Sequence, residues 1–257
     1  MCTVIFLRRP DHEWPLLLAA NRDESLKRPW KAPSRHWPDR PDVTAGIDEL
    51  AGGTWLGVND HGVVSGILNR KDSLGNDPRL RSRGELVLEA LDHADALDAM
   101  DALLDLEPAA YRSFNLFVAD NRDAWWLRST GPDSHKVEAF EIPEGVSMIT
   151  AWGMNEGDSA RTRHYLPRFE LAAAPDPESA DWSEWMALLS STEVEDNAGP
   201  GEAMCIEPTR GFGTLSSSLI ALEAPDRGKP RVLWRFSESP GDVNAFHDID
   251  LTPEIIA

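Results

Sequence analysis

The chain begins with an apolar segment, Cys2-Thr3-Val4-Ile5-Phe6-Leu7-Arg8, and continues after a polar turn at residues 10–13 with Leu16-Leu17-Leu18-Ala19-Ala20-Asn21-Arg22-Asp23-Glu24. Two apolar runs separated by a short polar turn predict a β-hairpin. A hairpin brings the end of its second strand back to the start of its first. We therefore expect the polar residues 21–24 to lie near Cys2.

Strands alternate with turns over most of the remaining sequence, and helices are predicted in the middle. Further strands are predicted at residues 15–20, 53–59, 62–68, 113–119, 124–129, 136–142, 146–151, 214–223 and 231–237, the last two joined by a turn at residues 225–228. Helices are predicted at residues 80–93, 94–106, 159–173 and 181–189, the last with core-forming Trp and Met side chains. The proline-rich residues 28–50 are predicted to form a long irregular loop. This order favours an α+β fold of mostly antiparallel sheets covered by helices.

The composition is strongly acidic. The 257 residues include 44 Asp and Glu against 25 Lys and Arg, which gives a formal net charge of −19. Such a surface repels phosphate backbones and anionic lipid, so neither nucleic acid nor a membrane is expected as a partner. High acidity with few lysines is typical of halophilic proteins, in which salt screens the repulsion. An ordinary acidic bacterial protein is the alternative.

Several classes of protein are disfavoured by what the sequence lacks. The first residues lack the features of a signal peptide, and no apolar run reaches the length of a membrane span, so we expect a cytoplasmic protein. The seven His residues are scattered without metal-ligand spacing, and there is no phosphate-binding glycine motif, so no metal or cofactor is expected. Two cysteines, Cys2 and Cys205, do not form a disulfide framework.

Cys2 is the candidate nucleophile. The methionine before a small residue is normally removed in the cell, which would make Cys2 the first residue. Its thiol would then lie beside an α-amino group with a pKa of about 7.7–8.0, which can accept the thiol proton. The alternative is that Cys2 is only a small apolar residue at the start of a strand.

Two polar features support the catalytic interpretation. Arg22 is predicted to hold a thiolate or a substrate carboxylate, while Asp23 or Glu24 anchors the free amine. Asn69 ends an apolar strand, where its amide can donate to a developing oxyanion. The alternatives are a solvated loop with a local ion pair and a simple turn asparagine.

Six short blocks carry a resemblance to a known family. In order along the chain they are Met1-Cys2-Thr3, Ala20-Asn21-Arg22-Asp23-Glu24, Gly52-Gly53-Thr54-Trp55-Leu56-Gly57-Val58-Asn59, Arg83-Gly84-Glu85-Leu86, Phe114-Asn115-Leu116 and Phe212-Gly213-Thr214. This pattern resembles the NRDE family, also called the Transport and Golgi organisation 2 family. The blocks reach from the start of the chain to about residue 220, so the resemblance implies a single domain over residues 1–257.

The resemblance implies a four-layer αββα sandwich of antiparallel sheets, the N-terminal-nucleophile hydrolase fold of choloylglycine and penicillin V acylases. Cys2 then corresponds to the nucleophile and Asn69 to the oxyanion asparagine. One alignment places Asn21 at the position of the acylase Arg and Glu24 at that of its Asp, and a shift by one residue makes Arg22 the cation. Asn155 is a further candidate for an active-site asparagine.

Two functions follow from this sequence. The first is an N-terminal cysteine hydrolase that cleaves an amide bond of a small substrate through an acyl-enzyme, with Asn21, Glu24 and Trp55 in contact with the substrate. The second is a non-catalytic binding or trafficking protein on the same fold, since the resemblance implies haem or lipid handling. Trp30 and Trp37 lie near Trp55 in sequence, and all three are predicted either to cover a pocket or to pack in the core. The oligomeric state is left open.

Overall fold

The computed structural model describes residues 2–75, 77–209, 211–225 and 231–253. The strands are β1 (Thr3–Arg8), β2 (Leu16–Ser25), β3 (Trp30–Ser34), β4 (Val43–Asp48), β5 (Leu56–Asn59), β6 (Val64–Asn69), β7 (Phe114–Ala119), β8 (Ala124–Ser129), β9 (Glu138–Glu141), β10 (Gly145–Ile149), β11 (Phe212–Leu222), β12 (Val232–Ser237) and β13 (His247–Asp248). The α-helices are α1 (Gly84–Leu91), α2 (Ala96–Leu104), α3 (Ala160–Leu171) and α4 (Ser183–Leu189).

The chain divides into two compact units, each built on one sheet. The first unit consists of Met1–Lys27, Pro143–Ala224 and Val232–Ile249, and the second of Arg28–Ile142, Pro225–Arg231 and Asp250–Ala257. Among the described residues, none of the helices combines the length and the apolar character needed to cross a membrane. The single domain expected for residues 1–257 stays a prediction.

The first unit contains an antiparallel sheet in the order β10-β1-β2-β11-β12-β13. Its core lies between this sheet and the helices α3 and α4, and it includes Ile5, Leu17, Phe169, Trp185 and Leu219. Trp182, Trp185, Met186 and Leu189 are all buried there, which confirms the core role predicted for residues 181–189. Because β2 pairs with β1 on one side and β11 on the other, it is an inner strand whose backbone is held on both sides.

The second unit contains a seven-stranded antiparallel sheet in which β3 to β9 follow one another in sequence order. Helices α1 and α2 supply Leu86, Leu91 and Leu103 to a core that also includes Leu116 and Leu127 of the sheet. Two motif glycines permit a close backbone approach in this unit. A Cβ atom on Gly53 would lie 2.5 Å from the carbonyl carbon of Gly84. The amide of Thr54 donates to the Gly84 oxygen at 3.0 Å.

The predicted helices and strands overlap those of the structure, although several of their ends differ by two to four residues and β13 was not predicted. Two segments need correction. The loop predicted for residues 28–50 is wrong, because this segment contains β3 and β4. β3 is an edge strand whose register shifts between Lys31 and Ser34, and an edge position with a bulge tolerates Pro33. The strand predicted for residues 15–20 is too short, since β2 extends to Ser25. Most of the turn predicted at residues 225–228 lies outside the described residues.

Candidate active site

The hairpin of β1 and β2 places Cys2 beside the polar end of β2. Thr3 pairs with Asn21 in the antiparallel register, and continuing this register by one residue sets Cys2 opposite Arg22. The Cys2 Sγ atom donates to the backbone oxygen of Asp23 at 3.5 Å. Cys2 retains partial exposure. The structure therefore brings three of the predicted site residues together, as the hairpin argument requires.

The pleat of β2 separates its polar residues onto two faces. Successive side chains of a strand point to opposite faces, so Asn21 and Asp23 share one face while Arg22 and Glu24 share the other. Directly paired residues on neighbouring strands share a face, so Thr3 lies with Asn21 and Asp23. By the same rule, Cys2 lies on the face of Arg22. This geometry favours the alignment in which Arg22 is the cation, since Arg22 shares the thiol's face of the sheet.

Asn21 is fully engaged in hydrogen bonds inside the first unit. Its amide Nδ2 donates to the backbone oxygens of Leu189 and Met204, both at 2.9 Å. Its Oδ1 accepts from the hydroxyl of Ser217 at 2.6 Å. Because the residue is 2% exposed, these bonds connect β2 to the end of α4 and to the segment before β11. The structure thus places the Asn21 amide within the protein interior.

Asp23 forms a buried ion pair that the sequence did not predict. Its Oδ2 lies 3.0 Å from the Nη1 atom of Arg161, and both side chains are 0% exposed. Its Oδ1 accepts from the hydroxyl of Thr214 at 2.6 Å. The predicted solvated loop is excluded as an interpretation of this segment, because Asn21, Arg22 and Asp23 are buried within a strand.

Arg161 lies in the first turn of α3, after Ser159, whose side chain caps the helix by accepting from the Thr162 amide. The signal for its burial was present in the sequence. Arg161, Tyr165 and Phe169 follow one another at spacings of four residues and form the buried face of α3. A charged residue in such a stripe requires a partner, and here the partner is Asp23.

The environment of Cys2 disfavours the thiolate. Burial raises the pKa of the Cys2 thiol above its ordinary value, and the negative charge of Asp23 acts in the same direction. Arg22 acts in the opposite direction and compensates in part. At neutral pH the thiol therefore carries its proton, and attack on a substrate requires a base.

Glu24 and Asn155 have local partners in the first unit. The Oε1 atom of Glu24 accepts from the amide of Ser25 at 2.8 Å. Asn155 has a φ angle of 56°, and its Oδ1 accepts from the amide of Met148 at 2.7 Å. Its positive φ angle and this hydrogen bond show that Asn155 stabilises the turn after β10.

The other predicted site residues belong to the second unit. Asn69 is the last residue of β6, pairs with Phe114 of β7 and is half-buried. Trp55 is half-buried and meets Trp30 edge to face, with their ring centroids 5.6 Å apart. Gly46 leaves the space that the Trp55 ring fills, since a Cβ atom there would lie 2.2 Å from it. Trp37 packs against the helical core of this unit.

A cavity of about 480 Å³ lies in the first unit, in the segment between α4 and β11. Its lining includes Ala203, Cys205, Ile206 and Phe212. Cys205 is 7% exposed, and burial raises the pKa of its thiol. Among the described residues, His, Cys, Asp and Glu do not gather in groups of three that could hold a metal ion.

Comparison with solved structures defines the class of fold. An N-acylethanolamine-hydrolyzing acid amidase ortholog from Caenorhabditis elegans has a TM-score of 0.60 at 12% identity, covering 90% of this chain and 100% of its own. A variant of conjugated bile acid hydrolase from Clostridium perfringens has a TM-score of 0.60 at 14% identity, covering 99% and 94%. The fold is that of the N-terminal-nucleophile hydrolases, which confirms the predicted α+β class.

Sequence comparison then defines the family. The family model described as Transport and Golgi organisation 2 matches residues 1–229, and the chain belongs to that family. The Transport and Golgi organization 2 homolog of Mus musculus is 33% identical over 129 residues, and the corresponding protein of Bos taurus is 35% identical over 133 residues. Each match covers 47% of this chain and 45% of the relative, so the chain spans less than half the length of these relatives.

Proposed function

We propose that this protein is an N-terminal cysteine hydrolase that cleaves an amide bond of a small substrate through an acyl-enzyme. The observation that carries the proposal is the position of Cys2. Cys2 is a partly exposed residue immediately before β1, on the sheet face of Arg22, and its thiol lies within hydrogen-bond distance of the Asp23 backbone. The solved structures with this fold include enzymes named as amidases and acylases, which supports the same chemistry.

The proposed reaction begins after removal of Met1, which gives Cys2 a free α-amino group. The amine takes the thiol proton while sulfur attacks the substrate carbonyl carbon and forms a tetrahedral intermediate. The C–N bond then breaks, and the leaving amine departs with the proton held by the ammonium group. Water attacks the thioester, the acid is released, and the thiol is restored. The raised pKa of Cys2 supports this scheme, because a protonated thiol requires such a base.

The roles of the remaining residues follow from their surroundings. Arg22 holds substrate charge near the thiol, and Asp23 keeps the end of β2 in place through Arg161 and Thr214. Asn21 has the same positioning role, since its amide is bonded internally. The oxyanion role of Asn69 and the substrate contacts of Glu24 and Trp55 stay predictions from the sequence.

A substrate panel tests the proposal. Purified protein is incubated with chromogenic N-acyl amides of different acyl length, and Cys2→Ala is compared with Cys205→Ser as the matched control. We expect turnover that Cys2→Ala reduces by about 10³-fold or more and that Cys205→Ser retains. Turnover that survives Cys2→Ala would contradict the assignment of the nucleophile.

A non-catalytic binding role is the second candidate, because the curated relatives are named for transport and Golgi organisation and not for a reaction. The ligand in this case would be haem or a lipid. Titration with haem, followed by its absorbance, separates the two functions. Saturable binding together with no turnover across the amide panel would favour the carrier.

A further inference from the structure

We propose that Arg161 is a positioning residue for Cys2, because it neutralises Asp23 and fastens Thr3 at the strand end that carries the thiol. The inference rests on the proposed function for its biological meaning, since it treats Cys2 as the nucleophile. The effect of Arg161 on the reactivity of the Cys2 thiol can nevertheless be measured whether or not the protein is a hydrolase.

Arg161 contacts both strands of the hairpin near Cys2, β1 through Thr3 and β2 through Asp23. Its Nη1 donates to the hydroxyl of Thr3 at 2.7 Å and to Asp23 Oδ2 at 3.0 Å. Thr3 is the next residue after Cys2, and Asp23 supplies the backbone oxygen that the thiol contacts. The guanidinium of Arg161 therefore fixes Thr3 and Asp23 relative to each other, and these two residues lie on either side of the Cys2 thiol in β1 and β2.

Arg161 is itself anchored from the other side. Its Nη2 donates to the backbone oxygen of Gly201 at 2.9 Å, and its Nε donates to that of Glu202 at 3.4 Å. The planar fork uses its separate donors on separate partners, an arrangement that the single ammonium of lysine does not reproduce. The side chain is completely buried, so its charge acts on Asp23 with little screening by solvent.

The charge balance near Cys2 makes the proposal measurable. The charged groups that act on the thiol are Asp23, Arg22 and the amino terminus, and Asp23 is the one that disfavours the thiolate. Arg161 compensates Asp23 from the opposite face of the sheet. Removal of Arg161 leaves the Asp23 carboxylate uncompensated behind the sulfur, so the thiolate of Cys2 becomes harder to form.

The experiment measures the rate of Cys2 alkylation against pH in the full chain, with intact mass and peptide mapping as the readout. We expect Arg161→Gln to react about three- to tenfold more slowly than the unsubstituted protein at pH 7, which corresponds to a pKa rise of about 0.5–1. Asp23→Asn should react faster, and Asp23→Asn/Arg161→Gln should lie between the two single variants. Arg161→Lys retains the charge but not the separate donors of the guanidinium, so its rate should lie between those of the unsubstituted protein and Arg161→Gln.

Arg163→Gln is the matched control. Arg163 lies on the same helix and pairs with Glu195 at 2.7 Å, but its side chain is 46% exposed. We expect this variant to leave the Cys2 profile unchanged. If Arg161→Gln does not fold, Asp23→Asn and the double variant decide the question. An unchanged profile in Asp23→Asn, or equal shifts in Arg161→Lys and Arg161→Gln, would overturn the proposal.

The two proposals fail separately. If no amide is hydrolysed but the alkylation profiles shift as expected, the hydrolase proposal fails and the positioning role of Arg161 stands. If amides are hydrolysed, Cys2→Ala abolishes the turnover and the alkylation profiles of all other variants coincide, Cys2 remains the nucleophile and the role of Arg161 is refuted.

Discussion

Asn21 is the residue whose hydrogen bonds fasten the polar end of β2 to the helical side of the first unit. Replacing it with Leu leaves the carbonyl oxygens of Leu189 and Met204 and the hydroxyl of Ser217 without their present partner. Because a buried polar group without a partner costs about 1–3 kcal/mol, we expect Asn21→Leu to lower the free energy of unfolding by about 3 kcal/mol.

Urea unfolding monitored by tryptophan fluorescence measures this loss. Ser217→Ala is the control, because it leaves both amide donors of Asn21 bonded, and it should cost about 1 kcal/mol. A loss below about 0.5 kcal/mol for Asn21→Leu would contradict the role that we give to this amide.

The reactivity of the Cys2 thiol should depend on whether the Cys2 nitrogen is a free amine or part of a peptide bond. In a chain with an uncleavable extension before Met1, the Cys2 nitrogen remains in a peptide bond and the raised pKa is not relieved by a neighbouring amine. We measure the rate at which iodoacetamide alkylates Cys2 in this extended protein as a function of pH. We expect the midpoint of this pH profile to lie above the ordinary cysteine pKa of about 8.5. A midpoint below that value would show that the site activates the thiol without the amine.

The motif glycines Gly53 and Gly84 allow neighbouring elements to pack closely. Gly53, before β5, lies against the backbone of Gly84 at the start of α1, where a Cβ atom would approach to 2.5 Å. Because backbone does not yield as a flexible side chain does, we expect Gly53→Ala to destabilise the protein by about 1–3 kcal/mol. Gly199→Ala is the control, since a Cβ atom there meets nothing within 4 Å, and thermal melting compares the two. Equal melting temperatures would refute the close approach.

The elements that could be predicted from the sequence are those with local signals. The hairpin at residues 113–119 and 124–129 agrees with β7 and β8 because its apolar runs and polar turn are contiguous. β3 could not be predicted, since it contains Pro33 and depends on pairing with β4 across the sheet edge. The Asp23 and Arg161 pair was missed for a similar reason, because 138 residues separate its members in sequence.

The part of the candidate site that could be predicted from the sequence is the part formed by the β1–β2 hairpin. Cys2 and residues 21–24 meet because β1 and β2 are neighbours in sequence. Which polar residue faces the thiol depends on the pleat of β2, and the sequence left that register open. The structure places Arg22 on the Cys2 face and Asp23 on the other, a distinction that no sequence spacing carried.

The whole molecule carries a net charge of −19, so like charges repel one another in the folded state more than in the expanded chain. Raising NaCl from 0.1 to 1 M shortens the Debye length from about 10 to about 3 Å and weakens this repulsion. We expect the melting temperature to rise by at least about 3 °C, the shift that corresponds to about 1 kcal/mol for a chain of this size. KCl should raise the melting temperature by a similar amount, and a fall in melting temperature would show that charge repulsion does not limit stability.

We propose that the mature chain begins with Cys2 and presents a thiol and a free amine together. The most direct test treats untagged protein with 2-cyanobenzothiazole, which condenses with 1,2-aminothiols, and follows the intact mass. We predict a chain without Met1 that gains one adduct at Cys2, while Cys205 and an N-terminally extended chain gain none. Retention of Met1, or the absence of an adduct on the unextended chain, would contradict this proposal.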